Sequence, residues 1–71
     1  MKKRSIVLNG HETSVTLEDA FWDALKVIAA YEQRSISAIV CAIDNSRFPQ
    51  DNLSSHIRLY ILKWYQNRAS F

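Results

Sequence analysis

Residues 13–19, Thr13-Ser14-Val15-Thr16-Leu17-Glu18-Asp19, decide how this chain folds. Thr13 and Val15 share one face of an extended segment, and Ser14 and Thr16 share the other, which is the two-residue period of a strand. The pattern then changes. Thr16 is a natural N-cap, and Glu18 and Asp19 behind it suit the positive end of a helix. The stretch reads as a strand feeding a helix that begins near Leu17.

Upstream, residues 4–8 form a second β-favouring run, carried by Ile6, Val7 and Leu8. Asn9-Gly10 lies between the two runs. A two-residue type I′ turn needs positive φ at both positions, which Asn and Gly tolerate best. Gly10 is the only glycine in the chain, so its position is informative. The return strand spans His11 to Thr16, with Glu12, Ser14 and Thr16 opposite Thr13 and Val15.

Downstream, the first helix is expected to reach about Tyr31, with Phe21, Ala24, Leu25 and Ile28 as its apolar stripe. Trp22, Val27 and Ala30 widen that stripe, as in a helix buried on more than one side. Residues 32–35 interrupt the pattern, and Ser35 is a second N-cap candidate. A helix over 36–46 follows, with Ile36, Ile39, Val40 and Ile43 on one face, and Pro49 marks its limit. Asp51-Asn52 opens a third helix, over about 53–67. It carries Ile57, Tyr60, Ile61 and Trp64 on one face and Leu59 and Leu62 on another, and residues 68–71 are expected to fray. The predicted fold class is mainly α, with a short N-terminal β-hairpin and three helices in one domain over residues 1–71.

A chain of 71 residues supplies a core worth only about 3–5 kcal/mol and needs a further staple. Cys41 is the sole cysteine, so a disulfide within the chain is excluded; it is expected to be a small buried apolar residue. One cysteine with His11 and His56 is too sparse a set for structural zinc. Oligomerisation remains, and 48% hydrophobic residues favour it, so a homodimer is expected. The apolar run after Met1-Lys2-Lys3-Arg4 is too short for a secretory leader. No stretch approaches the roughly 18 apolar residues of a membrane span. A soluble, cytoplasmic protein without a membrane partner is expected.

The net charge of +2 is unevenly placed. Lys2, Lys3 and Arg4 open the chain, acids concentrate in residues 11–32, and Arg34, Arg47, Arg58, Lys63 and Arg68 dominate the remainder. Such a balance permits nucleic-acid binding without requiring it. There is no glycine-rich loop, no metal-ligand spacing and no nucleophile beside a base, so neither enzyme activity nor a cofactor is expected. Trp22, Tyr60 and Trp64 read as core or dimer aromatics, His11 as an exposed turn residue, and His56 as a first-turn residue of the third helix.

Lys3-Arg4-Ser5, Gly10-His11, the run Thr13 to Glu18 with Phe21-Trp22 and Leu25, and later Asn52-Leu53-Ser54-Ser55 with Ile57-Arg58, occur here in one order and spacing. In that arrangement the chain resembles the ribbon-helix-helix family, and most closely a bacterial subgroup with an extra C-terminal helix. The resemblance implies a homodimer whose strands form an antiparallel ribbon that enters the major groove of double-stranded DNA. It further implies a regulator, such as a repressor or the DNA-binding half of a toxin–antitoxin pair. Carried onto this chain, it implies base contacts from Glu12, Ser14 and Thr16. Phosphate contacts fall to Arg34, Ser35 and Ser37 at a helix N-terminus, and to Lys2, Lys3 and Arg4. An added first strand could widen the ribbon to four strands in the dimer.

Several readings stand side by side at this level. Glu12 can only accept a hydrogen bond, for example from cytosine N4. Ser14 and Thr16 read equally as solvent-facing strand residues, Arg34 and Ser35 as a helix start alone, and Lys2 to Arg4 as a solvated tail. If the third helix took the phosphate-binding role, Ser54, Ser55 and Arg58 would replace Arg34, Ser35 and Ser37. A homodimeric protein-interaction module on the same fold, with the third helix as partner surface, is the alternative to DNA binding.

Overall fold

A computed structural model describes residues 2–48 and 51–68, with the side chain of Lys2 excepted. Strands β1 (Lys2–Leu8) and β2 (His11–Leu17) form an antiparallel hairpin, followed by helices α1 (Asp19–Glu32), α2 (Ile36–Ser46) and α3 (Leu53–Arg68). The turn is the expected one. Asn9 and Gly10 both have positive φ, 53° and 79°, and Leu8 pairs with His11 across them.

The hairpin is longer than the sequence pattern suggested at both open ends. Lys2, Lys3 and Arg4 belong to β1 rather than to a free tail, and Lys2 pairs with Leu17. Leu17 is therefore the last strand residue, not the first helical one, and it is completely buried. It continues the inward series Thr13, Val15, Leu17, so the strand period wins over the capping signal. Thr16 is not an N-cap. Glu18 takes that position, without a side-chain cap, and the Thr16 carbonyl instead accepts a hydrogen bond from Ser54 Oγ at 2.7 Å.

Ile6, Leu8, Val15 and Leu17 turn one face of the hairpin onto the helices, where α2 packs against β1 and α3 against β2, and α2 and α3 pack against each other. Leu25, Ile28 and Ala29 of α1, Ile39, Val40 and Ile43 of α2, and Ile57 and Ile61 of α3 complete the core. Phe21, Trp22, Ala24, Ile36, Tyr60 and Trp64 pack around it, partly buried. The expected stripes of all three helices are thus the faces that pack. Val27 and Ala30, by contrast, are exposed in the single chain.

Helix ends follow local chemistry. Gln33 adopts a left-handed conformation (φ 55°) at the end of α1, where its N–H donates to Ala30 O and that of Arg34 to Ala29 O. This paired closure usually employs glycine. Ser35 caps α2 as expected, accepting from the Ala38 N–H at 3.0 Å. Asn52 caps α3 by accepting from the Ser55 N–H at 3.1 Å. Pro49 and residues 69–71 lie outside the described residues. Arg68 is helical, and its guanidinium stacks over Tyr31 and Trp64 at 4.1 and 4.4 Å, tying the end of α3 to that of α1. Cys41 is not a buried apolar residue. It is half-buried, and its thiol donates to Asn9 Oδ1 at 3.2 Å, linking α2 to the hairpin turn.

Two stability effects follow. Leu17→Ala is expected to cost about 2–5 kcal/mol in urea unfolding, whereas Thr16→Ala should cost less than the roughly 1 kcal/mol of a lost N-cap. Gln33→Gly is expected to stabilise the fold by about 0.5–1 kcal/mol, because it relieves a left-handed non-glycine residue.

Candidate nucleic-acid interface

The register of the hairpin determines which side chains leave its outer face. Lys3 pairs with Thr16, Ser5 with Ser14, and Val7 with Glu12. All six are exposed, and together they form one surface with no helix over it. The three expected base-contact residues, Glu12, Ser14 and Thr16, therefore lie on one face of β2. Lys3, expected at phosphate, joins them from β1. Ser5 and Val7 also stand on this face. Their alternation with Ile6 and Leu8 was the available signal for them.

The surface is graded along its length. The end remote from the turn holds Lys3, Thr16, Ser5 and Ser14, which are cationic or small hydrogen-bonding groups. The end at the turn holds Glu12 and Val7, an acid beside an apolar side chain.

Arg4 is on the other face. It pairs with Val15 across the hairpin, and its guanidinium lies 4.6 Å from the Trp22 ring and 3.6 Å from Asp19. Its Nε is buried without a hydrogen-bond partner. Arg4 thus joins the strand to the start of α1 and does not share the surface of Lys3.

Arg34, Ser35 and Ser37 form a separate group at the junction of α1 and α2. Arg34 and Ser35 are exposed, and Ser37 is half-buried. Arg34 Nη2 reaches the Ala38 carbonyl at 3.3 Å, folding over the first turn. The first-turn amides of a helix have no intrahelical acceptor, and a positive dipole end lies behind them.

The alternative set at the start of α3 is already engaged within the chain. Ser54 holds the Thr16 carbonyl, and Ser55 N–H is capped by Asn52. Arg58 binds Glu18 through Nε and Nη2, both at 2.8 Å. These contacts make the α3 N-terminus a fastening between α3, the end of β2 and the start of α1. The backbone N–H of Glu18 and then the Arg58 guanidinium hold the Glu18 carboxyl below its ordinary pKa.

His11 is exposed, and His56 lies 3.4 Å from Asp51 on a partly exposed surface. Among the described residues no group of three or more His, Cys, Asp or Glu side chains is arranged to hold a metal ion, and no helix is long and apolar enough to cross a membrane.

A hairpin with a polar outer face, followed by helices that bury its inner face, is the arrangement the sequence pointed to. A family model for the ribbon-helix-helix domain matches residues 1–65. The chain belongs to the ribbon-helix-helix family, with α3 as an additional C-terminal helix. That family is typically one of non-catalytic, dimeric, DNA-binding transcription regulators. No curated protein and no solved structure matches the chain.

The Glu18–Arg58 pair gives a pH test. A carboxylate whose pKa is lowered by folding stabilises the fold above its unfolded pKa, about 4.3 for Glu. That contribution is lost as pH falls through the lowered folded value. Melting temperature is therefore expected to fall as pH drops below about 4, and Glu18→Gln should flatten that part of the profile. An unchanged acid limb in the variant would refute the assignment.

Proposed function

We propose that this protein is a cytoplasmic DNA-binding transcriptional regulator that acts as a homodimer. The observation that carries this reading is the outer face of the hairpin, where Lys3, Ser5, Ser14 and Thr16 form a contiguous exposed surface of hydrogen-bonding groups. In the dimer, the outward residues Glu12, Ser14 and Thr16 meet base edges in the major groove. Ser and Thr hydroxyls donate and accept, and Glu12 accepts from cytosine N4. The α2 N-terminus binds a backbone phosphate through the first-turn amides of Ile36 and Ser37, that of Ala38 being capped by Ser35, and through Arg34, Ser35 and Ser37. Lys3 adds charge directed at the backbone, whereas Lys2, expected there as well, pairs with the inward-facing Leu17 and alternates with Lys3 along β1. A two-fold symmetric dimer favours a palindromic or inverted-repeat site. Because phosphate contacts dominate such binding, affinity is modest and salt-sensitive.

Glu12 beside Val7, which is 57% exposed, favours a second reading at the turn end of the same face. An acidic and apolar patch suits a protein partner better than a phosphate backbone. In that reading the protein is a homodimeric interaction module without specific DNA binding.

Fluorescence anisotropy with mixed-sequence duplexes separates the two. Salt-sensitive binding at micromolar protein is expected. Arg34→Ala should weaken it for all sequences and lower the salt slope by about one phosphate contact per protomer. Ser14→Ala should instead alter sequence preference. Absence of salt-dependent binding leaves the interaction module, and an equal, uniform loss from both variants refutes the assigned roles.

A further inference from the structure

Between α1 and α3 runs an open groove of about 630 Å³, lined chiefly by Phe21, Ala24, Leu59, Leu62 and Tyr65. Leu59 and Leu62 are each 52% exposed and Tyr65 39%. On α1 the groove continues by helical spacing from Ala20 and Ala24 to Val27 and Tyr31, both exposed. Exposed apolar residues gathered in this way, rather than scattered singly, mark a contact surface. Arg58 is the only charged side chain in the lining, and it is held by Glu18. The groove thus has an apolar character, ill-suited to a nucleic-acid backbone.

Its position relative to the sheet identifies the occupant. Leu8 and His11 close a two-residue turn and exchange hydrogen bonds, so every second pair from there does the same. The backbone groups of Glu12, Ser14 and Thr16 accordingly point away from β1, toward the open edge of β2. The Ser54 contact with the Thr16 carbonyl places the start of α3 at that same edge, and α3 packs against β2 rather than β1. The unpaired strand edge and the apolar groove therefore belong to one side of the molecule. An occupant must offer a strand edge and an apolar helical surface together. A second copy of this chain offers both, in a self-complementary arrangement. A two-fold axis through Ser14 also sets Glu12 opposite the second copy's Thr16, so no like charges are opposed.

The geometry points to α3 as part of the dimer seam: Leu59, Leu62 and Tyr65, with the Ala20–Tyr31 stripe of α1, pack against the second copy beneath a β2–β2 ribbon. This rests on the dimeric reading above and extends it, because it assigns a role to the additional helix. It also accounts for the exposed face of α3 and the exposed Val27 in the single chain.

Sedimentation equilibrium at micromolar concentration tests the inference without reference to DNA. The unmodified chain is expected at twice its mass of 8.2 kDa. Leu62→Asp and Leu59→Asp, both at solvent-exposed positions of the single chain, should retain helical circular dichroism and weaken dimerisation at least tenfold. Phe48→Ser, at a more exposed apolar residue outside the groove, should leave the dimer intact. Hydroxyl-radical footprinting of the unmodified chain should show protection of Leu62 and Tyr65 that grows with protein concentration. If the Asp variants remain dimeric, or Leu62 and Tyr65 stay equally reactive at all concentrations, α3 is not in the seam, even though a ribbon dimer and its DNA binding stand. A monomeric unmodified chain overturns the seam and the dimer together. A dimer that depends on Leu62 but binds no DNA supports the seam while refuting the regulator reading.

Discussion

The structure depends on burying one face of a hairpin of two seven-residue strands. Ile6, Leu8, Val15 and Leu17 have almost no exposed surface, and burying such a side chain stabilises by about 1.5–3 kcal/mol. Because strand side chains alternate strictly, that burial also determines the opposite face. A slip of one residue in either strand would turn its apolar set to water. The row Lys3, Ser5, Val7 and its partners Thr16, Ser14, Glu12 face outward for this reason, before any functional demand is considered. The candidate nucleic-acid surface is thus the reverse side of the core.

The third helix links that core to the rest of the molecule. Its first turn is fastened to the end of β2 through Ser54 and to the start of α1 through Arg58 and Glu18. Its last turn is fastened to the end of α1 through Arg68, Tyr31 and Trp64. Held at both ends, α3 contributes Ile57 and Ile61 to the core and leaves Leu59 and Leu62 exposed along the groove it forms with α1. The polar groups of its N-terminus are consumed in this fastening. At α2 the arrangement differs, because Arg34 and Ser35 remain on the surface. The two helix starts look alike in sequence, yet only the second has an architectural partner across the fold.

Much of the fold was legible from residue order. Asn9-Gly10 specified the turn because few residue pairs accept two positive φ values. Ser35 and Asn52 marked helix starts because their side chains can satisfy an amide in the first turn. The outward set Glu12, Ser14 and Thr16 followed from period two alone. The errors lie where a local signal competed with a distant one. Thr16 before Leu17-Glu18-Asp19 has the form of a cap, but Lys2 lies opposite Leu17 and extends the strand past it. Lys2 to Arg4 has the form of a charged tail, but pairing with residues 15–17 makes it a strand. Cys41 has the form of a core residue, but Asn9, remote in sequence, offers it an acceptor.

The sequence by itself determined the turn, the periodic faces and the order of elements, since these arise from φ preferences, caps and side-chain alternation within a few residues. Only the tertiary structure decided where β2 ends, that Arg4 leaves the surface of Lys3 to lie over Trp22, and that Ser54 and Arg58 are held within the chain. Each of those outcomes turns on a partner distant in the chain, and local preference cannot distinguish a side chain that will meet such a partner from one that will meet water.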